Sequence, residues 1–264
     1  IQMLYGKSVI VTGSTSGIGL GIAKRFAKAG ANVMLNGSRA ASEAAALIKE
    51  IEVYYGGGGK VAYTAADMTK TDDRKKLVSE TNAAFGQVDI LVNNAGIQFV
   101  SKVEDFPNEK WDEVISVNLS SIFDLIKQTL PGMKARKWGR IINIASVHGL
   151  IGSTKKAAYT AAKHGLIGLT KVVALENATH GVTCNAICPG WVLTPLVQKQ
   201  IDDKAKTEGI PVDKARQNLL SAKQPDKQFV TVEELGVLAV YLASDWSKSI
   251  TGTTIAIDGG WTAH

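Results

Sequence analysis

Tyr159 and Lys163 stand four residues apart, and Ser146 lies thirteen residues before the tyrosine. On a helix that spacing sets a phenol and an ammonium on one face. A phenol ionises near pH 10, so a tyrosine that works as a base near neutrality needs roughly 4 kcal/mol in favour of phenolate. One cation about 4 Å away in a partly screened site contributes an energy of that order, so no metal and no second cation is required. The pair therefore predicts proton transfer by Tyr159, with Lys163 lowering its pKa.

A second chemistry is written near the start of the chain. Lys7 to Thr12 carries the β-branched run Val9-Ile10-Val11. The turn Thr12-Gly13-Ser14-Thr15-Ser16-Gly17-Ile18-Gly19 follows, and then Ile22, Ala23 and Phe26 at helical spacing. Glycines let a backbone turn sharply against a pyrophosphate, whose charge meets the amides at a helix N-terminus. Strand, glycine turn and helix in that order predict a dinucleotide cradle.

The elements that must position these residues alternate along the chain. Strands are predicted at Asn32 to Leu35, Val61 to Ala65, Val88 to Asn93, Arg140 to Ala145, Val182 to Cys188 and Thr253 to Ile257. Helical periodicity runs through 74–85, 111–133, 156–179 and 232–243. About seven strands alternating with helices predict one α/β domain over residues 1–264: a doubly wound, Rossmann-type parallel sheet with helices on both faces and ligands at the carboxyl ends of the strands. Asp67, Asn93-Asn94-Ala95-Gly96, Ser146 and Pro189-Gly190 all follow strands. Thr194 to Gln228, which contains helical pieces but is punctuated by Pro195, Gly209, Pro211 and Pro225, reads as a lid-like excursion. Tyr54-Tyr55 and the four glycines after them read as a flexible loop.

Composition excludes several classes. No apolar run reaches membrane-spanning length, and no charged segment followed by an apolar stretch opens the chain, so a cytoplasmic enzyme without membrane partners is expected. Ile1-Gln2 ahead of Met3 read as an addition to the natural start. The charge of +6 is spread over scattered lysines without interleaved aromatics, which argues against nucleic acid and for an anionic cofactor. Cys184 and Cys188 lack clustered co-ligands and read as core thiols, with no metal site.

Taken together, Thr12-Gly13-x-x-x-Gly17-x-Gly19, Asn93-Asn94-Ala95-Gly96, Asn118, Ser146, Tyr159-x-x-x-Lys163 and Pro189-Gly190 resemble the short-chain dehydrogenase/reductase family in order and spacing. The resemblance covers the chain from Leu4 onward. It implies Tyr159 as general acid/base, Lys163 holding the nicotinamide ribose, Ser146 orienting the substrate oxygen and Asn118 anchoring a water beside Lys163. It also implies cofactor contacts from Gly13, Thr15, Ser16, Gly17, Ile18, Gly19 and Asn36, from Asp67, Met68, Asn94, Ala95 and Gly96, and from Pro189, Gly190, Val192 and Thr194.

Within the family the chain is similar to the bacterial D-3-hydroxybutyrate dehydrogenases, through Asn94 to Gln98, Ala145 to Gly149, Cys188 to Val192, Gln224 to Thr231 and the tail Asp258 to Ala263. That likeness implies NAD as cofactor, a small 3-hydroxy or 3-oxo acid as substrate and a homotetramer. Gln98, His148, Lys156 and Gln200 would hold the carboxylate while Trp191 bounds the pocket. An NADPH-dependent 3-oxoacyl thioester reductase is the alternative, and a non-catalytic dinucleotide sensor, expected to lack Tyr159 or Lys163, a third reading. One departure concerns cofactor choice: Asn36-Gly37-Ser38-Arg39 holds no acid for the ribose hydroxyls. Arg39 lies one step beyond the family's usual phosphate-binding place, and Ser16 is not basic, so NAD is expected.

Overall fold

A computed structural model describes residues 3–263. Ile1 and Gln2 lie outside the described residues. Seven parallel strands form one sheet among them: β1 (Ser8–Val11), β2 (Asn32–Gly37), β3 (Val61–Ala65), β4 (Ile90–Asn93), β5 (Gly139–Ile144), β6 (Val182–Pro189) and β7 (Thr254–Ile257), in the order β3-β2-β1-β4-β5-β6-β7. Successive side chains of a strand point to opposite faces, and both faces are buried. Val9 and Val11 enter one apolar cluster with Ile22, Phe26 and Leu235, while Ile10 enters the other with Leu77, Leu125 and Leu166. This explains why the strands read as continuous apolar runs.

Helices α1 (Gly17–Lys28), α2 (Ala41–Tyr55) and α9 (Val232–Ala243) cover the first face. Helices α3 (Thr71–Phe85), α4 (Asn108–Ile115), α5 (Ser121–Ala135) and α6 (Ala157–Asn177) cover the second, and α7 (Pro195–Glu208) and α8 (Val212–Ser221) stand apart as a hairpin. Strand order reverses between β1 and β4, so a crevice opens outside their carboxyl ends.

Two expectations are corrected. The helix predicted over Trp111 to Met133 is two, joined by a π-helical turn at Ser116–Ser120. Asn118 sits in that turn, fully buried, and its amide pairs with both backbone groups of Ile97, accepting from N–H at 2.8 Å and donating to C=O at 2.9 Å. The extra residue that widens the turn aims the amide, a use typical of π-bulges.

Tyr54 and Tyr55 end α2, for which no helix is predicted although Ala44, Leu47, Ile48 and Ile51 keep its spacing. The glycines after them are packed tightly: a Cβ on Gly59 would lie 2.1 Å from the Ala31 carbonyl oxygen. Close backbone approach, and not flexibility, explains that run. The Thr194 to Gln228 excursion holds two helices, the helical pieces expected there, with Ile201, Ala205 and Ala215 in a small cluster of its own.

Candidate active site

The crevice holds two adjoining cavities. The larger, about 550 Å³, lies along the carboxyl ends of β1, β2, β4 and β5. Thr15, Ser16, Gly17 and Ile18 form one wall, Asp67 and Met68 another, and Asn94, Ala95 and Gly96 a third; Tyr159, Lys163, Pro189, Gly190 and Thr194 close it at the β5–β6 end. Gly13 takes φ +61°, a conformation that L side chains resist, and so turns the chain out of β1. Ser16 stands at the start of α1 in extended conformation, aiming the first amides of the helix into the cavity.

Several predicted contacts act beneath this surface. The Asn94 amide donates to the carbonyls of Thr12 (3.0 Å) and Gly13 (3.1 Å), and Thr12 Oγ1 accepts from the N–H groups of Asn94 and Ala95. Gly19 does not line the cavity; a Cβ there would lie 2.4 Å from the Gly13 carbonyl oxygen and the Asn94 amide nitrogen. Asn36 lines it, but its amide is spent on Gly13 N–H (3.1 Å) and on the carbonyls of Thr64 and Ala66. The Asp67 carboxylate caps Thr69, whose backbone and side-chain hydrogen bonds hold its pKa below the usual carboxylate range.

Cavity size, the glycine turn and the helix N-terminus fit a dinucleotide. Thr15 to Ile18 would face its pyrophosphate, Asp67 and Met68 its adenine, and Lys163 its ribose.

At the junction of the cavities, α6 presents Tyr159 and Lys163, and Ser146 follows β5. Ser146 hydrogen-bonds the Tyr159 hydroxyl, and its Oγ accepts from the N–H of His148 at 3.1 Å. The Lys163 ammonium lies 5.6 Å from the Tyr159 ring centre and donates to the Ile144 carbonyl at 2.7 Å.

One expectation fails here. Burial pushes the Tyr159 phenol above its ordinary pKa despite the hydrogen bond from Ser146. Burial also pulls Lys163 down to about 8. Desolvation penalises phenolate and ammonium alike, and Lys163 spends its charge on a carbonyl, so it does not by itself make Tyr159 a base in the protein alone.

The smaller cavity, about 190 Å³, opens beside Ser146 and Tyr159. Gln98, His148, Lys156, Trp191, Val192 and Gln200 all line it, although they come from five separate stretches of chain. Lys156 Nζ lies 3.4 Å from His148 Nε2 and 5.6 Å from the Trp191 ring centre. Lys156 can only donate, so Nε2 accepts and the proton of neutral His148 sits on Nδ1, which is buried without a partner. Burial first, and the Lys156 charge second, pull His148 down to about 4; burial also lowers Lys156. Gln98 and Gln200 are exposed at the rim. The cavity thus offers a cation and several donors, with no carboxylate, at one short reach from Tyr159.

Trp261 completes the wall, a part that no local signal in the sequence assigns it. The Asp258 carboxylate accepts from Gly260 N–H, Thr262 N–H and Thr262 Oγ1, folding the tail back. Trp261 then meets His148 edge to face at 5.5 Å and Trp191 at 6.0 Å.

Cys184 and Cys188 are buried and free; burial raises their thiols to about 12 and about 11, as core thiols require. No group of metal-binding side chains occurs, and no helix is long and apolar enough to cross a membrane, among the described residues.

Comparison with known proteins places this geometry. The chain is 54% identical to the D-beta-hydroxybutyrate dehydrogenase of Cupriavidus necator over 99% of its length and 100% of that protein. It is also 54% identical to the D-beta-hydroxybutyrate dehydrogenase of Rhizobium meliloti over 98% of its length and 99% of that protein. The solved structure of L-sorbose reductase from Gluconobacter frateurii, complexed with NADPH and L-sorbose, superposes over the whole chain and 99% of its own with TM-score 0.94 at 29% identity. Residues 7–205 match the family model described as short chain dehydrogenase. The chain therefore belongs to the short-chain dehydrogenase family, oxidoreductases that work with a nicotinamide cofactor.

Proposed function

We propose that the protein interconverts D-3-hydroxybutyrate and acetoacetate with NAD, as a homotetramer in the cytoplasm. One observation carries the substrate: Lys156 and His148 stand 3.4 Å apart in a small cavity, walled by Trp191 and Trp261, that opens onto Ser146 and Tyr159. A 3-hydroxy acid has its carboxylate two carbons from the reacting carbinol. Its charge would meet Lys156 and the Nδ1–H of His148, with Gln98 and Gln200 closing from the rim. Ser146 would hold the carbinol oxygen, and Tyr159 would take or return its proton.

Bound in the larger cavity, the dinucleotide supplies the carbon that accepts or donates hydride, and its oxidised ring is a cation. Lys163 would hold the ribose, and Asn118, fixed to Ile97 by its amide, would keep the floor beside it. NAD is the expected choice because Ser16 offers no charge to a further phosphate. The likeness to two hydroxybutyrate dehydrogenases across the chain supports the same reading.

The test adds D-3-hydroxybutyrate and NAD to pure protein and follows the absorbance of reduced nicotinamide. Rapid, saturable reduction is expected; no reduction, together with turnover of 3-oxoacyl thioesters by NADPH, would replace this reading with the thioester reductase.

A further inference from the structure

Three residues other than glycine take a positive φ among the described residues: Lys137 (55°), Lys155 (62°) and Lys227 (57°). An L side chain resists that conformation, so each has to be held there by its surroundings. Lys137 follows the last turn of α5, where helices commonly end in this way, and Lys227 closes a turn back to the Gln224 carbonyl at 2.9 Å. Lys155 ends no helix. It stands directly before Lys156, the cation of the smaller cavity. Its side chain is exposed and makes no hydrogen bond or ion pair among the described residues, so what holds it is a backbone contact. The Ser101 N–H donates to the Lys155 carbonyl at 2.9 Å, and Ser101 pairs with Lys156 in an isolated parallel bridge.

The bridge joins two stretches that reach the cavity from distant parts of the chain. On one side the backbone leaves β4 through Ile97, held at both its polar groups by the Asn118 amide, passes Gln98 and arrives at Ser101, whose hydroxyl donates to the Asp105 carbonyl at 3.1 Å. On the other it turns left-handed at Lys155 and enters α6 through Lys156. Gln98 thus lies between two pins, and Lys156 directly after one. Rotation about φ of Lys155 moves everything that follows it. An ordinary negative φ there would carry the Lys155 carbonyl off Ser101 and redirect Lys156, whose ammonium now stands 3.4 Å from His148 Nε2.

We propose that the left-handed turn at Lys155, locked by the Ser101 amide, is what aims Lys156 into the cavity. Lys155 and Ser101 are positioning residues for recognition of the substrate carboxylate, a role that rests on the reading of Lys156 as the carboxylate's partner. Both act through their backbone, and neither touches the substrate.

Lys155→Gly and Lys155→Val both delete the ammonium, but glycine takes a positive φ freely while β-branched valine opposes it. The two are compared with wild type and Lys156→Ala by kcat and KM for D-3-hydroxybutyrate and for its methyl ester, and by amide hydrogen exchange at Ser101, which reads the lock without substrate. Lys155→Gly should stay within about twofold of wild type on both substrates and keep Ser101 protected. Lys155→Val should lose about ten- to a hundredfold on the acid, mainly in KM, as for a lost charge-assisted contact, and lose the protection of Ser101, with the ester and KM for NAD within about twofold. Lys155→Ala is the milder arm and should fall between them. Equal losses in the glycine and valine variants would assign the effect to the Lys155 charge, and equal losses of the valine variant on acid and ester would assign it to the fold. Either overturns the positioning role and leaves the carboxylate reading in place, as does a valine variant that keeps the acid where Lys156→Ala loses it. A Lys156→Ala variant that loses nothing on the acid overturns the carboxylate reading itself, and the positioning role with it.

Discussion

Tyr159 is the residue whose removal should separate chemistry from binding. Tyr159→Phe deletes the proton-transfer oxygen and keeps the ring, so turnover should vanish while NAD affinity, read by calorimetry, changes little. Lys163→Ala should harm both; retention of most of the rate in Tyr159→Phe would mean that the pair is structural. Lys156 is tested by charge. Removing a charge-assisted contact should cost about 2–4 kcal/mol in kcat/KM for hydroxybutyrate and leave the methyl ester nearly unaffected. Equal losses on both substrates would show that Lys156 holds the catalytic helix and not the carboxylate.

His148 carries a stability consequence as well. Its pKa falls from 6.5 in the unfolded chain to about 4 in the fold, so the folded state binds fewer protons between those values. Stability is full above pH 6.5 and declines as pH falls toward 4, by on the order of 2–3 kcal/mol. Denaturant unfolding of wild type and His148→Gln across that window should show the decline flattened in the variant.

Among the elements, the α7–α8 hairpin stands apart from the rest. It packs on a small apolar cluster of its own, Ile201, Ala205 and Ala215. Thr194 caps α7 by accepting from Val197 N–H, with Pro195 in the first turn. Gln224 clasps the two ends: fully buried, it accepts from Trp191 N–H at 2.9 Å and donates to the Gln228 carbonyl. Gln200 rides on α7 and lines the smaller cavity from its exposed rim. Gln200→Ala should therefore raise KM more than it lowers kcat. Gln224→Ala leaves a buried N–H unpaired beside Trp191 and should lower thermal stability while also raising KM; an unchanged KM would detach the clasp from the substrate.

For the whole molecule, three of the helices over the second face of the sheet carry exposed apolar side chains. Trp111, Phe123, Val172 and Leu175 are exposed on α4, α5 and α6, with Leu175 80% accessible. Association through this face would bury them in a symmetric interface. Sedimentation at micromolar concentration should show a species heavier than the 28.0 kDa chain, and Leu175→Glu should dissociate it without unfolding the monomer. A wild type that sediments only as the monomer would refute the assembly.

Sequence alone determined what depends on neighbours along the chain. Each strand was legible because parallel strands buried on both faces demand continuous apolar runs, and the glycine turn because a sharp exit from β1 needs residues without side chains. Tyr159 and Lys163 share a helix, so their common face follows from spacing. Tertiary structure decided what depends on groups brought from afar. The Asn118 turn widens because Ile97, twenty-one residues earlier, offers both backbone groups to one amide. Asn36 and Asn94 line the cavity as the sequence suggests, while their amides are held by backbone groups of the turn and, for Asn36, of the chain around the end of β3. Trp261 reaches the cavity only because the Asp258 carboxylate folds the tail. The Tyr159 pKa is the sharpest case: spacing placed the lysine, but the sign of the shift is set by desolvation, a property of everything packed around the pair, which no interval between two residues records.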